Sequence, residues 1–282
     1  MNAAGGWAVT GRTCVVTGAS TGIGRETVRA LSSLGANLVL VGRSAERHRG
    51  VLDDLARSAG AVAFIETELG DLGSVRSAAE RVRKDHPDTT VLINNAGQGG
   101  HRGMTAQGFE LAFGVNYLSH FLLTSLLLPL LDRNGPSRVV NVSSDAHYRI
   151  KRFDPAAALG RTRTLTGIDE YCFSKAAIAA MTLELAHRFD PGRVTAVAVH
   201  PGTVATDGWR AIPQPLRWLV TRSMMSPAQG SLTVIRAVTE PSLQSGLYLT
   251  PNGSRPVHHL LGDPAVTSDL WEQSERWVAE FR

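Results

Sequence analysis

"TGASTGIG", residues 17–24, follows the apolar run "RTCVV" (12–16) and opens the amphipathic stretch "GIGRETVRALSSLGA" (22–36). Its glycines, Gly18, Gly22 and Gly24, are spaced G-x-x-x-G-x-G. Glycine permits a tight turn and lets backbone N–H groups and a helix N-terminus approach a pyrophosphate. A glycine turn can be merely structural, but strand, turn and helix in this order point to a dinucleotide. Gly18, Ser20, Thr21, Gly22, Ile23 and Gly24 are then the candidate lining of its phosphate site.

The alternation begun there continues along the chain. Apolar strands are expected at "NLVLV" (37–41), "AVAFIE" (61–66), "TVLIN" (90–94), "SRVVNVS" (137–143), "RVTAVAVH" (193–200) and "GLYL" (246–249). Helices are expected between them, near 44–59, 74–85, 106–132, 169–189 and 227–239, with a last one near 266–280. Strands that are apolar throughout are buried on both faces, as parallel strands covered by helices must be. The expected fold is an α/β, Rossmann-like, doubly wound parallel sheet of about seven strands with helices on both faces. No repeat or linker divides residues 1–282, so one domain is expected. Segments 145–168 and 203–226 break the rhythm after strand ends, where such sheets bind ligands. They are candidate substrate walls, with plain surface insertions as the alternative.

Composition narrows the class. Hydrophobic residues make up 43% of the 282 and charged residues 19%, which fits a globular protein and excludes long disorder. The net charge of +4 is scattered along the chain, so nucleic acid is not an expected partner. Two cysteines, Cys14 and Cys172, build no disulfide framework and point to a reducing, cytoplasmic setting. The N-terminal residues show no basic start followed by an apolar core. "LSHFLLTSLLLPLL" (118–131) is shorter than the ~20 residues that cross a bilayer and reads as a buried helix. The expected partners are a small-molecule substrate and further copies of the chain, as a homodimer or homotetramer. No metal is expected.

The end of the second strand refines the ligand. An acid there would bond the ribose hydroxyls of NAD. The sequence instead reads "VLVGRS", with Gly42 followed by Arg43. A guanidinium clamps a 2′-phosphate by charge-assisted bonds, so NADP(H) is expected over NAD(H).

The chain resembles the short-chain dehydrogenase/reductases over nearly its whole length. The resemblance rests on "TGASTGIG", "GDL" (70–72), "NNAG" (94–97), "GVN" (114–116), "NVSS" (141–144), "YCFSK" (171–175) and "HPGTV" (200–204), in family order. "GFELAFGVNYLSHFLLTSLLLPLL" and "VHPGTVATD" are most similar to the retinol-dehydrogenase-like branch. That branch often carries an N-terminal membrane segment, which is not seen here. The resemblance implies an NADP-dependent oxidoreductase and assigns roles at the matching positions. Asp71, with Leu72, would meet the adenine region, and Asn95, Ala96 and Gly97 would support the cofactor and the central strand. Asn116 would interrupt a helix and hold a water in a proton relay. Ser144, rather than Ser143, fits the catalytic serine, with Tyr171 and Lys175 completing the set. Thr203 would touch the nicotinamide amide, flanked by Pro201, Gly202 and Val204. Twenty-six residues separate Ser144 from Tyr171, about twice the interval of shorter members. The extra length is expected beside the substrate. Its Arg149, Lys151, Arg152, Arg161 and Arg163 fit either a solvated loop or an acidic substrate.

Tyr171 and Lys175 stand four apart, on one face of a helix. A phenol with a pKa near ~10 is no base at neutral pH, and lowering it to about 7 requires ~4 kcal/mol. An ammonium ~5 Å away supplies about 3 kcal/mol at an effective dielectric of ~20, and the positive charge of an oxidised nicotinamide would supply the rest. The expectation is that Lys175 makes Tyr171 a usable acid/base, with Ser144 holding a carbonyl oxygen. The chain then interconverts a carbonyl and an alcohol on a small, apolar organic molecule. Two alternatives stand beside this reading. One is a catalytically silent NADP(H)-binding regulatory or scaffold protein, and the other is an epimerase or dehydratase of the same fold that recycles its cofactor. Trp209, Trp218, Met224 and Met225 suggest an apolar lid, with plain core as the alternative; segment 203–226 has Gly208 as its only obvious hinge, so a rigid cap moving about its ends is expected.

Overall fold

A computed structural model describes residues 7–204 and 224–282. Eight strands form one sheet in the order β3-β2-β1-β4-β5-β6-β7-β8. They are β1 (Thr13–Thr17), β2 (Asn37–Gly42), β3 (Val62–Glu66), β4 (Thr89–Asn94), β5 (Ser137–Val142), β6 (Val194–Val199), β7 (Tyr248–Thr250) and β8 (Gly253–Arg255). All neighbours pair parallel except β7 and β8. The expected strand count of about seven gains one, a three-residue antiparallel edge strand whose sequence, "GSR", carries no apolar signal.

Helices cover both faces. Strands β1, β4 and β5 are buried along their whole length, and successive side chains enter opposite layers. Val15, Val39 and Val41 face one core layer, while Cys14, Val16, Leu38 and Leu40 face the other. The second layer is closed by α1 (Gly22–Ser33) and α2 (Ala45–Leu55). The first is closed by α3 (Leu72–Asp85), α4 (Leu111–Arg133) and α5 (Ile168–Arg188). The apolar stretch of α4 passes, by length and composition, for a membrane span, yet 89% of its most apolar window is buried. It is a core helix, as the sequence implies. Helix α4 starts at Leu111 rather than near 106, because Gly108 takes φ +85° and the Glu110 side chain caps Phe113 N–H. Helices α6 (Pro227–Thr239) and α7 (Pro264–Trp277) complete the chain.

A row of buried amides and hydroxyls crosses the first layer. Asn94 Nδ2 donates to Thr124 Oγ1 at 2.9 Å and to Asn141 Oδ1 at 2.8 Å, and Asn141 Nδ2 donates to Thr182 Oγ1 at 3.0 Å. This ties α4, β4, β5 and α5 together by buried polar groups, with Asn94 Oδ1 alone in the row lacking a partner among the described residues. The strand order reverses at β1, between β2 and β4, and a doubly wound sheet offers its crevice at that reversal.

Candidate active site

The glycine turn sits at the C-terminal end of β1. Gly18 and Gly22 take φ +70° and +58°. A Cβ on Gly24 would overlap the Gly18 carbonyl and lie 2.5 Å from Asn95 Nδ2, and one on Gly18 would lie 2.7 Å from Ala96 Cα. The turn is thus packed backbone against backbone. Thr21, at the N-cap of α1, makes no side-chain capping bond, and no acid stands in the first turn. The helix N-terminus therefore offers N–H groups and positive dipole to an anion, which fits a pyrophosphate. Ser20 is half-buried and Thr21 exposed on the same rim.

Asn95 and Thr17 hold this turn to the end of β4. Asn95 Nδ2 donates to the Thr17 and Gly18 carbonyls at 2.9 and 3.0 Å. Thr17 Oγ1 accepts the Asn95 and Ala96 amides at 2.9 and 3.0 Å. The fully buried His120 continues the chain of bonds. Its Nδ1 donates to the Asn116 carbonyl (2.8 Å), and its Nε2 meets Thr17 Oγ1 (2.9 Å). Burial holds this imidazole neutral, with its pKa lowered to about 4. Sequence reading gave His120 no role; its only signal was a lone histidine in an apolar run.

Asn116 lies in a π-helical turn (Gly114–Leu118) within α4, so the helix is interrupted there as expected. Its side chain accepts from Gln98 N–H and donates to the Gln98 carbonyl, both at 2.8 Å, and to Ser174 Oγ at 3.0 Å. The strand-end loop 97–99 is thereby laid across α5. A Cβ at Gly97 would lie 3.3 Å from Lys175 Nζ, and one at Gly99 would lie 2.9 Å from the Tyr171 ring. Ser143 Oγ donates to the Lys175 carbonyl at 2.8 Å and is buried, whereas Ser144 is half-buried and its side chain interacts with the Tyr171 hydroxyl. Asn116, Ser144, Tyr171 and Lys175 are thus drawn to the ends of β4 and β5.

Burial sets the electrostatics of Tyr171 and Lys175. Lys175 Nζ donates to the Val142 carbonyl at 2.9 Å and stands 5.7 Å from the centroid of the Tyr171 ring. Burial pushes the phenol up rather than down; the Ser144 side chain opposes that rise and the Cys172 thiol adds to it. Burial also lowers Lys175 to about 8. Taking both groups out of water disfavours the charged form of each. An unfolded lysine keeps its proton to about 10.4. As pH rises through 8 the native state therefore gives up the proton first, and stability rises until both states are neutral. We expect the unfolding free energy of the ligand-free protein, minus that of Lys175→Met, to climb by on the order of 3 kcal/mol between about pH 8 and 10.5. Denaturant titrations across that window measure it, and a flat difference would refute a destabilised ammonium.

The remaining candidates divide. Arg43 is exposed at the end of β2. Pro201 and Val204 are buried, and a Cβ on Gly230 of α6 would overlap Val204 and lie 3.3 Å from the Pro201 carbonyl and 3.4 Å from Ile23 Cγ1. Residues 201–204 thus lie beside the glycine turn, with Gly202 at φ +90° and the Thr203 carbonyl accepting Met225 N–H at 2.9 Å. Asp71 caps α3 through Gly73 N–H and accepts from Gln107 Nε2 at 2.9 Å. Leu72 belongs to the core. Segment 145–168 folds against residues 100–110, through the bridge Phe109–Leu159 and the pair Gly103–Thr162, and near its end the Gly167 carbonyl accepts Tyr171 N–H at 3.0 Å. Trp209, Trp218 and Gly208, and most of 203–226, lie outside the described residues.

The model of the short chain dehydrogenase family matches residues 12–216. Retinol dehydrogenase 11 of Homo sapiens is 39% identical over 271 residues, covering 94% of this chain and 85% of its own. Polyprenol dehydrogenase of Mus musculus is 35% identical, covering 94% and 83%. A solved structure of an uncharacterized protein from Mycobacterium paratuberculosis superposes with a TM-score of 0.78 at 30% identity, covering 98% of this chain and 96% of its own.

Proposed function

The chain belongs to the short-chain dehydrogenase/reductase family of oxidoreductases, closest to its retinol-dehydrogenase-like branch, and from that premise we propose that it uses NADP(H) to interconvert a carbonyl and an alcohol on a small apolar molecule. The observation that carries this reading is the convergence of Ser144, Tyr171 and Lys175 under loop 97–99, beside a glycine turn built for a pyrophosphate. When bound, NADP(H) supplies the hydride.

The residues do the rest. The glycine turn and α1 hold the pyrophosphate, and Arg43 takes the 2′-phosphate. Lys175 and the 201–204 segment orient the nicotinamide end. Ser144 donates to the carbonyl oxygen, where charge develops, and Tyr171 delivers the proton. The upward-pushed phenol stays protonated through neutral pH, so Tyr171 is ready as an acid for carbonyl reduction. An apolar substrate is supported by the names of the relatives, retinol and polyprenol dehydrogenase, and by the exposed Met104, Leu159 and Leu165 on the loops before α5 and Ile168 at its first position. The two buried, free thiols support a cytoplasmic setting, and assembly into a homodimer or homotetramer is part of the same proposal.

A panel of carbonyls and alcohols with NADPH and NADH, followed at the nicotinamide absorbance band, tests the reading. Net NADPH consumption with an apolar ketone or aldehyde is expected. Product without net consumption would mean a recycled cofactor, and no product at all would mean a binding protein.

A further inference from the structure

His48 stands in the second turn of α2, yet it acts on the end of β2. Its ring is 2% exposed and packs on Phe64 with centroids 4.8 Å apart. Its Nδ1 meets the Ser44 carbonyl at 2.8 Å, and because a carbonyl only accepts, Nδ1 carries the hydrogen. Nε2 is buried without a hydrogen-bond partner among the described residues. A buried nitrogen left in that condition calls for an explanation. The same edge of the ring faces Gly42. A Cβ built on Gly42 would overlap His48 Cε1, lie 2.7 Å from Nε2 and lie 3.4 Å from Nδ1.

Gly42 is the last residue of β2, where an acidic side chain would bond the ribose hydroxyls of NAD. The imidazole already fills the start of any side chain at that position. It cannot step aside cheaply, because the Ser44 bond fixes one edge and Phe64 one face. We infer that His48 is the specificity-determining residue that reserves position 42 for glycine, closing the strand end to a carboxylate and leaving the exposed Arg43 as its charged group. The inference rests on the NADP(H) reading for its consequence, but not for its geometry. Arg43 selects by attraction and His48 by exclusion, and discrimination built from both is stronger than from either.

The test is a double-mutant cycle of His48→Ala with Gly42→Ala, and with Gly42→Asp. Melting temperatures without cofactor report the geometry, and titrations with NADPH and NADH report the consequence. Gly42→Ala should lower Tm by about 5 °C or more in the natural background, as overpacking does, and by less than half as much in the His48→Ala background. Gly42→Asp should raise NADH affinity about tenfold or more only when His48→Ala accompanies it. Equal Tm losses in both backgrounds, or unfolding of Gly42→Ala in both, would overturn the inference. So would an equal NADH gain with His48 in place. If the natural protein binds NADH as tightly as NADPH, the cofactor reading fails, while the melting cycle still decides whether His48 holds position 42.

Discussion

Tyr171→Phe should lower turnover by about 10²–10⁴-fold while leaving NADPH affinity within about twofold of the natural protein. The first figure is the range that a positioned acid or base contributes. The second follows from the position of the ring. Tyr171 lies on α5 under Gly99, and the hydroxyl interacts with Ser144, so its removal leaves the ring's packing in place. The other polar groups nearby are bonded elsewhere: His147 Nδ1 donates to the Ser144 carbonyl at 2.8 Å, and its Nε2 accepts His258 N–H at 3.2 Å. Lys175 Nζ is bonded to the Val142 carbonyl, and the neutral His120 is engaged at both nitrogens. The measurement is single-turnover reduction of an active substrate from the panel, with cofactor binding read by quenching of protein fluorescence. Retention of more than a few per cent of activity would assign the proton to another group.

Arg43→Ala should weaken NADPH binding roughly ten- to over a hundredfold and leave NADH binding nearly unchanged. A hydrogen bond to a charged group contributes about 1.5–3 kcal/mol, and each 1.4 kcal/mol is a factor of ten. Arg43 is exposed and lies at the strand end that meets the adenosine ribose in sheets of this type. Its attraction for a 2′-phosphate is also partly screened, so the ratio of the two affinities should fall as salt rises. Titrations with both cofactors at two ionic strengths measure it. Equal losses for both would show that Arg43 supports the loop and does not read the phosphate.

The architecture was legible because its strands are apolar throughout and its helices alternate with them, which leaves one fold class open. Boundaries moved by a few residues where side chains decided them, as at Glu110. β8 was not legible, since an edge strand of three residues needs only a partner. Asp71 carries a second part that spacing does not announce: a lone acid before "LGSV" is a good N-cap, and it caps α3. Within the site, spacing told that Tyr171 and Lys175 share a helix face. It did not tell how deeply both are buried, and burial reverses the direction in which the phenol shifts. His120 and His48 carry bonds and contacts between segments far apart in the chain, which no local pattern announces.

The buried pair Asn94 and Asn141 has a consequence for how activity is lost. The two stand opposite each other in β4 and β5, one residue before Asn95 and two before Ser143. A slip of one strand by one residue would set Asn94 against Val140 or Val142 and turn the slipped strand's amide into the opposite apolar layer. The amides therefore work as a registration mark just below the reacting groups. A half-assembled or shifted sheet has no reaction centre, so heat or denaturant should yield silent molecules rather than weakened ones. Residual activity along an unfolding curve then counts the surviving native fraction.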